Sequence, residues 1–218
     1  MLDINALIQT IAIAALPVIF AITLHEAAHG YAARHFGDPT AWQLGRISLN
    51  PLRHIDPIGT IVIPVAILLF SAGSFLFGYA KPVPVDFTRL RNPKRDMLWV
   101  AAAGPAANLL MACFWALMFK LSWAVPEFFS VPLARMAEYG IIINCVLMVL
   151  NLLPLPPLDG GRIAVSLLPH RLAWQFSRIE PWGFPILLVL LFTGILGDIL
   201  NPLVLFSAQI ITTIFGLY

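Results

Sequence analysis

The residues most able to do chemistry in this chain are His25-Glu26-Ala27-Ala28-His29. On continuous helix, positions four apart lie one above the other, so the two imidazoles would sit one turn apart on one face. That spacing suits capture of a single metal ion by two ring nitrogens. Glu26 projects to a neighbouring side, where it can take a proton from an attacking water without being a ligand itself. The competing structural reading is three polar residues at a helix end near a membrane interface. Placing one ionisable group in a bilayer costs at least about 2.5–3.5 kcal/mol, so three within five residues need a shared purpose.

A catalytic zinc takes three protein ligands and a water, so a third ligand has to come from elsewhere. His35, His54, Asp56, Asp159, His170, Glu180 and Asp198 are available. Asp159 stands out because it lies in NLLPLPPLDGGRI, at the end of an apolar run and among Pro154, Pro156, Pro157, Gly160 and Gly161. Irregular backbone at membrane depth is tolerated only against protein or a watery cavity, and a metal pocket meets that condition.

The elements that must position these groups are membrane helices. The chain has 218 residues, 60% hydrophobic and 11% charged, with a mean hydropathy of +0.87. Ordinary soluble domains are about 45–50% apolar and about 25% charged. One membrane-embedded unit over 1–218 is expected: an all-α polytopic protein, with spans at about 6–35, 97–119, 136–154 and 183–197. Residues 160–180 suit an interfacial helix and 202–217 a C-terminal helix, the division falling at Gly197-Asp198 and Asn201-Pro202. Residues 58–79 read as re-entrant or spanning, and the proline-broken KPVPV after them as a short β segment. The N-terminus lacks the basic stretch of a cleaved signal and is expected to be retained. Cys113 and Cys145 fall in apolar runs, where buried small hydrophobes are expected. A net charge of +2, carried beside apolar segments, argues against nucleic acid as a partner.

HEAAH in the first span, AGPAAN at 103–108 and NLLPLPPLDGG at 151–161 resemble the site-2 protease family of intramembrane zinc metalloproteases. The resemblance runs from about residue 20 to 165, and it implies one zinc held by His25, His29 and Asp159 with Glu26 as the base. Asn108 and Asn151 match family asparagines of the active-site region, where substrate or transition-state positioning and helix-helix hydrogen bonding are both open to them. SLNPLRHIDPIGT and GYAKPVPV resemble segments of short members without a PDZ or CBS domain. His54, in the first of these, is a candidate for a role near the site or for an interfacial hydrogen bond. The implied substrate is a locally unwound membrane-spanning protein segment, which an exposed strand edge at KPVPV could hold.

Eleven of the thirteen Lys and Arg residues fall in 34–57, 81–95 and 159–180, leaving Lys120 and Arg135 apart. If 58–79 is re-entrant, those eleven share one side of the membrane. By the positive-inside rule that side is cytoplasmic, which puts the active site toward the cytoplasmic face of a prokaryotic cell membrane. A catalytically silent scaffold, a membrane iron oxygenase and a transporter are the rival classes. The intact HExxH opposes the first, the scarcity of histidines the second and the family motifs the third.

Overall fold

A computed structural model of the protein describes residues 4–63, 66 and 80–217. Among the described residues it is helical, with four helices long and apolar enough to cross a membrane. Helix α1 runs Ile4–His35 and is followed by the short α2, Thr40–Gln43. Two short helical turns lie at Pro51–Arg53 and Pro57–Val62; Pro93–Ser122 forms α3 and Glu127–Leu152 forms α4. Asp159–Leu167 forms α5, His170–Ser177 α6, Glu180–Phe192 α7 and Ile195–Phe215 α8.

Side-chain contacts fix the directions of the helices. Residues 21, 25 and 29 of α1 meet residues 108 and 100 of α3 in falling order, so the two helices are antiparallel. Asn108 meets Asn144, and Trp115 meets Gly140, which makes α3 and α4 antiparallel as well. The end of α1, the start of α3 and the end of α4 therefore share one end of the bundle. Lys120, donating to the Phe215 carbonyl at 3.2 Å, ties α3 to the end of α8 at the other.

The core is built largely from small side chains, as expected where no water drives helices together and close backbone approach must do the work. Ala112, Trp115 and Ala116 of α3 pack with Ala137, Ile141, Cys145 and Val149 of α4 and with Val204, Ala208 and Ile211 of α8. Cys145 is a buried member of that core, and Cys113 is half-buried. Leu110, Phe206 and Ile214 point outward and are exposed, which is the arrangement a lipid environment requires.

Three features differ from the sequence expectation. Among the described residues there is no β-strand or sheet, so the short β segment expected at KPVPV is corrected to irregular backbone outside any ladder. Pro82 and Pro84 have no N–H to give to a ladder. The neighbouring donors are spent elsewhere, Lys81 N–H on the His54 carbonyl at 2.8 Å and Val83 N–H on the Glu26 carboxylate at 2.7 Å. Residues 160–180 are two helices rather than one, because Leu168 precedes Pro169 and is held extended, φ −69° and ψ 148°. The C-terminal apolar run divides at Gly194, left-handed at φ 81°, while Pro202 is carried inside α8.

Most of the 58–79 segment lies outside the described residues. Its flanks are informative, however. Because Lys81 N–H reaches the His54 carbonyl, the chain comes back at 81 to the level it left at 54. The buried Asp38 carboxylate reinforces this loop region by accepting from the amides of Thr40 and Asp86. Hydrogen bonds from Thr88, with Arg89 nearby, hold the exposed Asp86 carboxyl below the usual carboxylate range.

Candidate metal centre

Three helices bring the site together. His25 and His29 come from one face of α1, Asp159 opens α5, and α3 passes beside both imidazoles. His25 Nε2 and His29 Nε2 are 3.1 Å apart, and each is 3.3 Å from Asp159 Oδ2. No other group of three His, Cys, Asp or Glu residues among the described residues is arranged to hold a metal.

The other nitrogen of each ring is committed. His29 Nδ1 lies 2.8 Å from the Val100 carbonyl, which can only accept, so Nδ1 carries the hydrogen. His25 Nδ1 donates to Asn108 Oδ1 at 2.6 Å, because the Asn108 amide nitrogen is engaged with the Ala21 carbonyl at 3.2 Å and with Asn144 Oδ1 at 3.0 Å. With the hydrogen on Nδ1, each ring in its neutral, ligating form turns the Nε2 lone pair toward Asp159, whose buried Oδ2 has no hydrogen-bond partner. Three electron-pair donors converging without a proton between them repel one another unless a cation is shared. This donor set, two imidazoles and one carboxylate with a fourth position left for water, fits catalytic zinc.

Close backbone approach makes the convergence possible. A Cβ on Gly104 would lie 2.4 Å from His29 Nε2 and 2.6 Å from His25 Nε2, so only glycine lets α3 pass so near the rings. The LDGG stretch works in the same way. A Cβ on Gly160 would fall 2.3 Å from the Leu152 carbonyl oxygen, and one on Gly161 2.3 Å from the Pro156 nitrogen, so the two glycines let α5 fold back against the end of α4. That turn carries Asp159 to the histidines.

Comparison with known proteins agrees with this geometry. The model of peptidase family M50 matches residues 127–194. "Putative zinc metalloprotease YwhC" of Bacillus subtilis is 38% identical over 190 residues, covering 85% of this chain and 83% of that protein. The chain belongs to peptidase family M50. A second relative, "Putative zinc metalloprotease Rip2" of Mycolicibacterium smegmatis, is 31% identical over 82% of this chain and 66% of its own length. Rip2 of Mycobacterium tuberculosis is 29% identical over 70% of this chain and 54% of its own length. No solved structure matches the chain significantly. With its four apolar spans and its His-His-Asp cluster, this M50 member is a multi-pass membrane zinc metalloprotease of prokaryotic type, and its substrates are membrane-spanning proteins.

The remaining candidates are dispersed. Asn108 is fully buried and bonded to His25, whereas Asn151 donates back to the Leu147 carbonyl of its own helix at 2.9 Å. His54 lies outside the three-residue cluster and is buried, with its Nε2 2.8 Å from the Ser48 carbonyl and its Nδ1 unpartnered. Asp56 caps the Pro57–Val62 turn, and Glu180 reaches Arg162 at 3.8 Å. Sequence reasoning missed Gly104, Asn144, the Val100 carbonyl and the Val83 N–H. Asn144 alone carried a signal, as an amide in the middle of an apolar span.

Proposed function

We propose that His25, His29 and Asp159 hold one zinc ion and that Glu26 is the general base in hydrolysis of a peptide bond within a membrane-spanning protein. The observation carrying this reading is the convergence of two imidazole Nε2 atoms, 3.1 Å apart, each 3.3 Å from a buried carboxylate oxygen that has no hydrogen-bond partner. Zinc supplies Lewis acidity and a water of lowered pKa when bound. Glu26 takes the proton of the attacking water and delivers it to the leaving amine. The Val83 N–H holds Glu26 Oε2 at 2.7 Å, leaving the other oxygen for proton transfer. Asn108 keeps His25 in the tautomer that can ligate.

The reaction belongs on the cytoplasmic side of the cell membrane. What supports this is the grouping of the end of α1, the start of α3 and the end of α4 at one end of the bundle, together with eleven of the thirteen basic residues on the segments that flank them. His29 lies about 9 Å inside the end of α1, within reach of a helix unwound from that face.

Purified wild type, Glu26→Gln and Asp159→Ala, each also co-expressed with tagged single-span proteins, test the assignment. One zinc per chain with cleavage in the wild type, zinc without cleavage in Glu26→Gln and loss of zinc in Asp159→Ala are expected. Undiminished zinc in Asp159→Ala would transfer the third-ligand role to another residue, His54 first.

A further inference from the structure

We propose that Asn144, in the middle of α4, is a positioning residue for the metal centre: through Asn108 it selects the ring tautomer of His25 that leaves Nε2 free for zinc. The proposal rests on His25 being a metal ligand. Asn144 is completely buried among Ile141, Cys145 and their neighbours, where an amide is retained only if its hydrogen bonds are made.

Those bonds form a chain with a fixed direction. Asn144 Nδ2 donates to the Gly140 carbonyl at 2.8 Å, and a carbonyl can only accept. The opposite end of the Asn144 amide, Oδ1, is thereby turned to Asn108 and accepts from its Nδ2 at 3.0 Å. Asn108 Oδ1 is then the atom left facing His25 Nδ1, at 2.6 Å. An acceptor there places the hydrogen on Nδ1 and the lone pair on Nε2. Reversal of the Asn108 amide would present N–H instead and move the ring hydrogen to Nε2. A hydrogen at that position would be shared with Asp159 Oδ2, 3.3 Å away, and would occupy the place of the metal.

The anchor of the chain is itself held. A Cβ on Gly140 would lie 2.2 Å from the Trp115 ring, so α4 and α3 meet here at a distance only glycine permits, one turn from Asn144. The Ala21 carbonyl also accepts from Asn108, at 3.2 Å. Loss of Asn144 therefore weakens the selection without abolishing it, and the effect belongs at the lower end of the 10–100-fold range for residues supporting metal ligands.

The test measures zinc affinity by chelator competition, and the visible absorption of the cobalt(II) form, for purified full-length protein. Asn144→Leu is expected to bind zinc about tenfold more weakly and to shift the cobalt bands. Asn144→Asp keeps an oxygen facing Asn108 and is expected to stay within about threefold of wild type. In an Asn108→Ala background Asn144→Leu should cost nothing further, because the path to His25 is already cut. If Asn144→Leu does not fold, Asn144→Ala is read in its place. Wild-type affinity and spectrum in the Leu or Ala variant would overturn the proposal alone, as would equal losses in Leu and Asp, which would mean packing only. A wild type that binds neither metal would overturn the metal-centre reading and the proposal with it.

Discussion

Replacing Gly104 by alanine adds one methyl group and should abolish tight zinc binding. The new Cβ would lie 2.4 Å from His29 Nε2 and 2.6 Å from His25 Nε2 and Cε1, about 1 Å inside ordinary contact. Neither ring can swing aside freely, since His25 Nδ1 is held by Asn108 and His29 Nδ1 by the Val100 carbonyl. The overlap has to be relieved by moving α3 or by displacing the ligand nitrogens. Overpacking of this kind costs about 1–3 kcal/mol. The helix recovers about 1 kcal/mol of it, because alanine is the better helix former. Global stability therefore changes little. Metal ligands, by contrast, must keep their distances within about 0.2 Å, and a shift several times larger should weaken zinc by at least about a hundredfold, near 2.8 kcal/mol. Chelator competition on detergent-purified protein measures this, with a thermal unfolding scan of the metal-free protein beside it. Gly197→Ala is the control, since its nearest neighbour, Asn201 Nδ2, is 3.8 Å away. If Gly104→Ala bound zinc as tightly as wild type, the backbone of α3 would not limit the site and the geometry argued above would be wrong.

Three further outcomes follow from the same contacts. Val83→Pro removes the N–H that Val83 donates to Glu26 and should slow cleavage roughly tenfold or more while leaving zinc content intact; an unchanged rate would deny Val83 a part in placing the base. Gly160→Ala drives a methyl group into the Leu152 carbonyl and should detach Asp159, read as zinc loss in a protein that is still inserted; retained zinc would show that the LDGG turn can yield. Cysteines placed singly at Ser48 and Thr88, with Cys113 and Cys145 removed, should both resist a membrane-impermeant thiol reagent in intact cells and both react in opened membranes; labelling on opposite sides would contradict the return of the chain at Lys81 to His54.

What could be read from the sequence was what is local. The helical register of HEAAH put both imidazoles on one face, and the irregular NLLPLPPLDGG marked the place where a carboxylate could leave a span and turn back. Apolar length was enough to find the first three spans, though the ends moved, α4 beginning at Glu127 rather than about 136, and the fourth long apolar helix is Ile195–Phe215 rather than the expected 183–197. KPVPV failed as a strand because extended backbone is only a precondition for pairing, and the two amides flanking Pro82 found partners outside any sheet. The C-terminal break was misplaced because Gly194 adopts a left-handed conformation that no neighbouring residue announces, whereas Asn201-Pro202, a stronger breaker on paper, is accommodated in α8.

The groups that sequence did not reveal share a physical character. Val100 O, Val83 N–H and Gly140 O are backbone atoms, which residue identity does not mark, and the reach of His29 to Val100 O depends on the distance between helices. That distance is set by residues lacking a Cβ: Gly104 at the rings, Gly140 at Trp115, and Gly183, where a Cβ would come within 1.7 Å of the Pro156 carbonyl oxygen. Helices packed in lipid gain little from burying more apolar surface, so their separation has to be fixed by shape. A metal site tolerates errors of only about 0.2 Å, less than the difference between glycine and alanine at a contact. In this protein the HExxH histidines and Asp159 supply the donor atoms, and the glycines supply the distances at which one ion can use all three.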